Sequence, residues 1–327
     1  MAVEKKEKVK LDQLMKVMFK LSKKVTINLL NGLFEENYNP RDVTIQYTNN
    51  EFVLDSLEKI YGDMFIRVQS KSKVITYHIE FQTQNDKYMS VRMFRYGFEK
   101  ATETFNDCGQ EEIKLDFPKQ LVIFLEENSN IKDSISFILK MPDGSELKYK
   151  VPTMKYWEYS EQDLVNKKMY ALLPFQVFKS RKVIESISNS TKTHEEKAQL
   201  INVEFRKLIK VIEKVANISS DLFKRREIVG ADFEKILLVL NNISDYLYNK
   251  YGEYKLIEEV NNMMLTTLYN PILVKKEVAK ELEKEMLNVA RTALEKGLTI
   301  DVVAEITKLD IETVKKIQEQ LAGKEKS

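Results

Sequence analysis

In the run Tyr77-His78-Ile79-Glu80-Phe81-Gln82, polar and apolar residues alternate. Side chains two apart on a strand share a face. His78, Glu80 and Gln82 therefore point one way, and Tyr77, Ile79 and Phe81 point into apolar packing. Upstream, Asp63 opens a second apolar run, Met64-Phe65-Ile66. If these two runs form a hairpin, Asp63 and Glu80 approach each other. Two neighbouring carboxylates repel unless a cation separates them. A hard divalent cation resolves the conflict, polarises a phosphoryl oxygen and lowers the pKa of bound water. The Phe81 carbonyl can add an oxygen ligand, and the Gln82 amide can hydrogen-bond an attacking water. His78 stays open among metal ligand, proton acceptor and hydrogen-bonded structural histidine.

Composition narrows the metal. The chain has one cysteine, Cys108, and two histidines, His78 and His194, too few for the usual zinc cluster. Mg²⁺ or Mn²⁺ on carboxylates is the expectation. The 327 residues are 43% hydrophobic and 31% charged, with a net charge of +2. Such a chain can bury a core, and its net charge does not by itself point to nucleic acid. Charge is uneven, however. Lys5, Lys6, Lys8, Lys10, Lys16, Lys20, Lys23 and Lys24 make the N-terminal segment basic, either as a binding surface or as a solvated helix face. A lone cysteine, a charged N-terminus and the lack of a spanning apolar run predict a cytoplasmic protein with no membrane partner.

The elements that must position these groups follow from periodicity. Residues 11–34 show helical spacing through Leu14, Val17, Met18, Leu21, Val25, Leu29 and Leu30, and Asn37, Asn39 and Pro40 end that element. Strands are expected at 63–69 and 74–82 with a loop over 70–73, then a helix over 87–105. A strand at 120–125 follows, with two more at 131–140 and 146–151 around Pro142-Asp143-Gly144. Beyond Tyr159 only helical patterns appear, at 161–170, 195–216, 233–248, 256–269 and 275–294. The polar stretch 188–193 divides the chain into an α/β domain, 1–190, and an all-helical C-terminal region, 191–327.

Taken in order, several blocks resemble the PD-(D/E)xK nuclease-type transposases, or recombination-promoting nucleases. They are Met18-Phe19-Lys20 with residues 29–34, Gly62-Asp63-Met64-Phe65, His78-Ile79-Glu80-Phe81-Gln82, the Met-x-x-Arg-x-x-x-Tyr spacing of Met89, Arg92 and Tyr96, Leu172-Leu173-Pro174-Phe175, and residues 294–299. The resemblance covers most of the chain. It implies a restriction-endonuclease-like mixed sheet flanked by helices, and metal-dependent cleavage of DNA phosphodiesters. Asp63 and Glu80 would be the metal-binding carboxylates. Gln82 stands where the wider superfamily has lysine, so water is oriented without the stabilising charge. The family's acidic residue ahead of Phe-Lys is not carried over: Lys16 precedes Phe19, and the nearest upstream acid is Asp12.

Arg92 and Tyr96 share a helix face. Together they make either a phosphate clamp or a packing pair with Arg92 bonded to a structural carboxylate. Trp157 either stacks on bases or packs in the core. Residues 298–321 read as two short helices around Thr307-Lys308-Leu309-Asp310, with Val303, Ile306, Leu309, Val314 and Ile317 as a helix-turn-helix core. Lys315 and Lys316 suit groove insertion, and a helical cap or self-association element, hence a homo-oligomer, is the other reading. The expectation is a Mg²⁺-dependent DNA endonuclease linked to recombination, mobile DNA or defence. Its rivals are a non-catalytic DNA-binding or assembly protein that keeps the fold, and an RNA nuclease.

Overall fold

The computed structural model describes residues 21–48, 51–53, 59–61, 64–103, 113–251, 254, 283–284, 286–307 and 309–324. Asp63, Gly62, Cys108, the N-terminal lysines before Lys23, and the helical patterns at 256–269 and 275–282 lie outside them. The chain divides into two compact units, Met1–Leu268 and Tyr269–Ser327. The stretch 188–193 falls inside the first of these units.

The first unit is α/β. Helix α1 (Lys23–Phe34) is capped by the Ser22 hydroxyl, which accepts from Val25 N, and ends at Glu35 in the left-handed region with φ 55°. Strands β1 (Thr44–Tyr47), β2 (Glu51–Val53), β3 (Lys59–Tyr61), β4 (Met64–Gln69) and β5 (Val74–Gln82) follow. Helix α2 (Met89–Glu103) then leads to β6 (Lys119–Phe124), β7 (Ser134–Lys140) and β8 (Glu146–Lys155). Six strands form one mixed sheet in the order β1-β4-β5-β6-β8-β7, and β2 and β3 pair separately.

Strands β4 and β5 form the expected antiparallel hairpin, in register from Met64↔Ile79 to Gln69↔Val74. Strands β5 and β6 are parallel, from Tyr77↔Lys119 to Gln82↔Phe124. Parallel neighbours need a crossover, which α2 provides. Met89 and Met93 of α2 pack on Val122 and Phe124 over one face of the sheet, and Trp157 packs partly buried against the same cluster. On the other face, Tyr77 meets Phe34 of α1 at 4.8 Å, and Phe81 meets Phe175 at 5.9 Å. Both faces of β5 are thus covered, and residues 77–81 are all buried.

After β8 come a 3-10 turn, Tyr156–Glu158, then α3 (Glu161–Asn166), a longer 3-10 segment, Tyr170–Val177, and α4 (Phe178–Ser188). Helices α5 (His194–Lys224) and α6 (Gly230–Tyr251) follow in this unit. A capping box joins Thr193 to Glu196 at the start of α5. Among the described residues no helix is long and apolar enough to cross a membrane.

The second unit holds a helix over 286–295, then α7 (Ile300–Thr307) and α8 (Ile311–Lys324). Ala290, Val303, Val314 and Ile317 form its core, with Leu309 partly buried. Ile306 is not in that core: it is 59% exposed. Thr307, four residues after Val303, takes the inward position and donates its hydroxyl to the Val303 carbonyl.

Candidate functional site

Because α2 covers the sheet face that carries His78 and Glu80, the polar side of β5 is closed from solvent. Glu80 is only 1% exposed. A carboxylate leaves water only where charge and hydrogen bonds compensate it. Arg92 of α2 meets this need: its Nη2 donates to Glu80 Oε1 at 3.1 Å. The guanidinium is held from two other directions. Nη1 donates to Asp86 Oδ2 at 3.2 Å, and Nε donates to the Tyr96 hydroxyl at 3.3 Å. Burial opposes the charge on Arg92, but Tyr96, Glu80 and Asp86 outweigh that and raise it above the ordinary arginine value. Gln82, one strand repeat beyond Glu80, donates from Nε2 to Glu80 Oε1 at 3.4 Å.

His78 lies deeper on the same face. Its ring stacks on Phe65 of β4 with centroids 4.1 Å apart, and Tyr96 meets it edge-on at 5.8 Å. Its Nε2 is 3.5 Å from Glu80 Oε2, and its Nδ1 is 2.9 Å from the Gln120 amide nitrogen. The same nitrogen donates to the Met93 carbonyl at 2.7 Å, and the Gln120 oxygen accepts from the Tyr149 hydroxyl. Burial, with the Lys100 and Arg92 cations nearby, pushes His78 down to about 3, so the imidazole is neutral at ordinary pH. Lys100 is itself buried, pairs with Glu103 and lies over the Phe65 ring at 5.1 Å.

Of the residues singled out by sequence, Glu80, Gln82, Arg92, Tyr96 and His78 come together here. Arg92 and Tyr96 share a helix face and are bonded to each other. Phe81 turns its ring to the opposite side of the sheet, and Asp63 lies outside the described residues. Sequence reasoning missed Asp86, Lys100, Gln120 and Tyr149. Gln120 reaches His78 only through the β5–β6 register, which no local pattern encodes. Asp86, six residues before Arg92, stands just ahead of α2, where an acid is a common helix-start signal.

The site lies toward the carboxyl ends of β5 and β6. The ladder continues there with Leu125 N donating to Gln82 O at 2.8 Å. Clefts outside the carboxyl ends of parallel strands are favoured binding positions. The Glu80 carboxylate and the Gln82 amide oxygen are donors of the hard type that Mg²⁺ and Mn²⁺ take. Among the described residues no group of three or more His, Cys, Asp or Glu side chains is placed to hold a metal ion. A divalent cation at Glu80 therefore fits if a further carboxylate joins, and Asp63, directly before β4, is the candidate in sequence. Comparison with family models, with curated proteins and with solved structures gives no match.

Proposed function

We propose that this chain is a Mg²⁺- or Mn²⁺-dependent endonuclease that hydrolyses DNA phosphodiester bonds, with a restriction-endonuclease-like core of the PD-(D/E)xK kind and a setting in recombination, mobile DNA or defence. The observation that carries this reading is the buried Glu80 carboxylate beside Arg92, Gln82 and His78. The hairpin β4–β5, the α2 crossover and parallel β6 support the same core. Asp63 and Glu80, with the Phe81 carbonyl, would hold the cation. A bound cation supplies phosphoryl polarisation and a water of lowered pKa. Gln82 orients the water through its amide. Arg92 has three anchors, so releasing Glu80 leaves Asp86 and Tyr96 to hold the guanidinium against a phosphate.

A second reading has its own observation. Arg92 pairs directly with the Glu80 carboxylate, and such a pair also suits a non-catalytic DNA-binding or assembly protein that keeps this fold. Supercoiled plasmid separates the two. The parent protein should nick it with Mg²⁺ and lose that activity in excess chelator. Glu80→Gln should lose cation binding and cleavage together. Gln82→Ala should keep the cation and slow by about 10²–10⁴, the usual worth of a positioned water contact. Full nicking in chelator, or by Glu80→Gln, would sink the nuclease reading at this site.

A further inference from the structure

The Gln120 amide can be oriented from its surroundings. The Met93 carbonyl can only accept, so the Gln120 nitrogen must face it, at 2.7 Å. That nitrogen is also 2.9 Å from His78 Nδ1, so its second hydrogen points at the ring. Its oxygen is taken by the Tyr149 hydroxyl. Nδ1 of His78 must then be the accepting nitrogen, and in a neutral ring Nε2 carries the proton. Nε2 is buried, has no hydrogen-bond partner among the described residues, and faces Glu80 Oε2 at 3.5 Å. Phe65 and Tyr96 hold the ring plane, so small movements of Glu80 close that gap.

We propose that Gln120 is a positioning residue that fixes His78 as its Nε2–H tautomer and so aims an N–H donor at Oε2 of Glu80. The inference rests on the reading of Glu80 as the working carboxylate. Arg92 takes Oε1 of Glu80, and His78 directs Oε2. The opposite tautomer would set a nitrogen lone pair against the carboxylate and turn Glu80 away. His78 is excluded as a metal ligand by the same logic, because Nε2 has no free lone pair while Nδ1 accepts from Gln120. The sequence periodicity that groups His78 with Glu80 acquires a chemical meaning: the histidine orients the carboxylate without adding charge.

Long-range ¹H–¹⁵N correlation spectra of the full-length, metal-free protein test this. With two histidines in the chain, His194→Gln assigns the His78 signals. The parent should show a protonated Nε2 and an unprotonated Nδ1. Gln120→Glu replaces the donor with an acceptor and should move the proton to Nδ1. Gln120→Met, neutral and of similar length, should lose the tautomer bias and guards against misfolding of the first variant. The Glu80 carboxyl ¹³C signal, assigned through Glu80→Gln, should shift in both variants. Mg²⁺-dependent nicking should fall about 10–100-fold, the usual effect of removing a group that orients a ligand. An Nδ1–H tautomer in the parent overturns the proposal. So does an unmoved Glu80 signal, or unchanged nicking despite a switched tautomer. If the parent protein does not nick at all, the nuclease reading fails, and the ring and carboxyl signals alone decide the role of Gln120.

Discussion

Arg92 and Glu80 form the charge pair on which both functional readings turn. Breaking a fully buried pair costs about 3–5 kcal/mol. The Arg92 side chain keeps 30% exposure, so solvent screens part of that loss, and Arg92→Ala should cost about 1–3 kcal/mol. If a cation and Arg92 share Glu80, Mg²⁺ should raise the melting temperature of Arg92→Ala more than that of the parent. Equal shifts in differential scanning fluorimetry would show that the two do not share it. His78 adds a pH dependence. Its folded value, about 3, lies below the unfolded value of about 6.5, so between them the unfolded chain binds more protons. Its contribution is complete above about pH 6.5 and is lost as pH falls toward about 3. Urea titrations should show stability declining through that window, and His78→Asn should flatten the decline. An identical slope in the variant would mean that other groups govern acid unfolding.

At the element scale, one buried acid ties together two helix starts that are far apart in the chain. Asp232, at the start of α6, accepts from Ser22 N and Ser22 Oγ, both at 2.6 Å, and from Val229 N at 3.3 Å. Removing an acceptor that serves part-buried donors costs about 1–3 kcal/mol, so Asp232→Ala should lower the unfolding free energy by that amount, read as a lower urea midpoint with an unchanged slope. Asp232→Asn keeps one acceptor oxygen and should lose less. Equal midpoints for parent and Asp232→Ala would deny the tie any role in stability. The local signals for elements were legible where turn chemistry is strong. Gly144 takes φ 86° in the Pro142-Asp143-Gly144 turn, and Asp143 Oδ1 accepts from Ser145 N at 2.9 Å. Strand β8 runs past Val151, where the expected strand ends, through Pro152 to Lys155. Proline is tolerated there because β8 changes partner: β7 pairs up to Pro152, and β6 pairs from Thr153. Strand β1, the β2–β3 pair and the 3-10 segment Tyr170–Val177 were not anticipated, because short strands and tight helical turns carry too few residues to show a period.

The net charge of +2 gives no general attraction for nucleic acid, so under the proposed nuclease reading DNA would be held by local basic groups such as Arg92, the N-terminal lysines, and Lys315 with Lys316. If DNA is the substrate, Glu80→Gln should still bind it, and log affinity should fall linearly with log salt at about 0.9 per phosphate contacted. Fluorescence anisotropy across a salt series checks this. Binding that ignores salt would remove phosphate contact as its basis. Substituting Lys315 and Lys316 with alanine should lower the slope by about 2 if both touch phosphates. An unchanged slope would leave α8 as a helical cap.

What the sequence determined by itself was local. Alternation in β5 assigned His78, Glu80 and Gln82 to one face, and helical spacing put Arg92 beside Tyr96. Those assignments need only the repeat of a strand or a helix, and a few neighbouring residues suffice to set it. The tertiary structure alone decided that this polar face would be buried, because burial depends on α2 folding back over the sheet. It also decided that Arg92 would meet Glu80 rather than solvent. The partner of His78 is the clearest case. Gln120 stands 42 residues away and has no pattern linking it to the histidine. Only the parallel register of β5 and β6 brings the two side by side, and register is a property of packed chains rather than of local residue order.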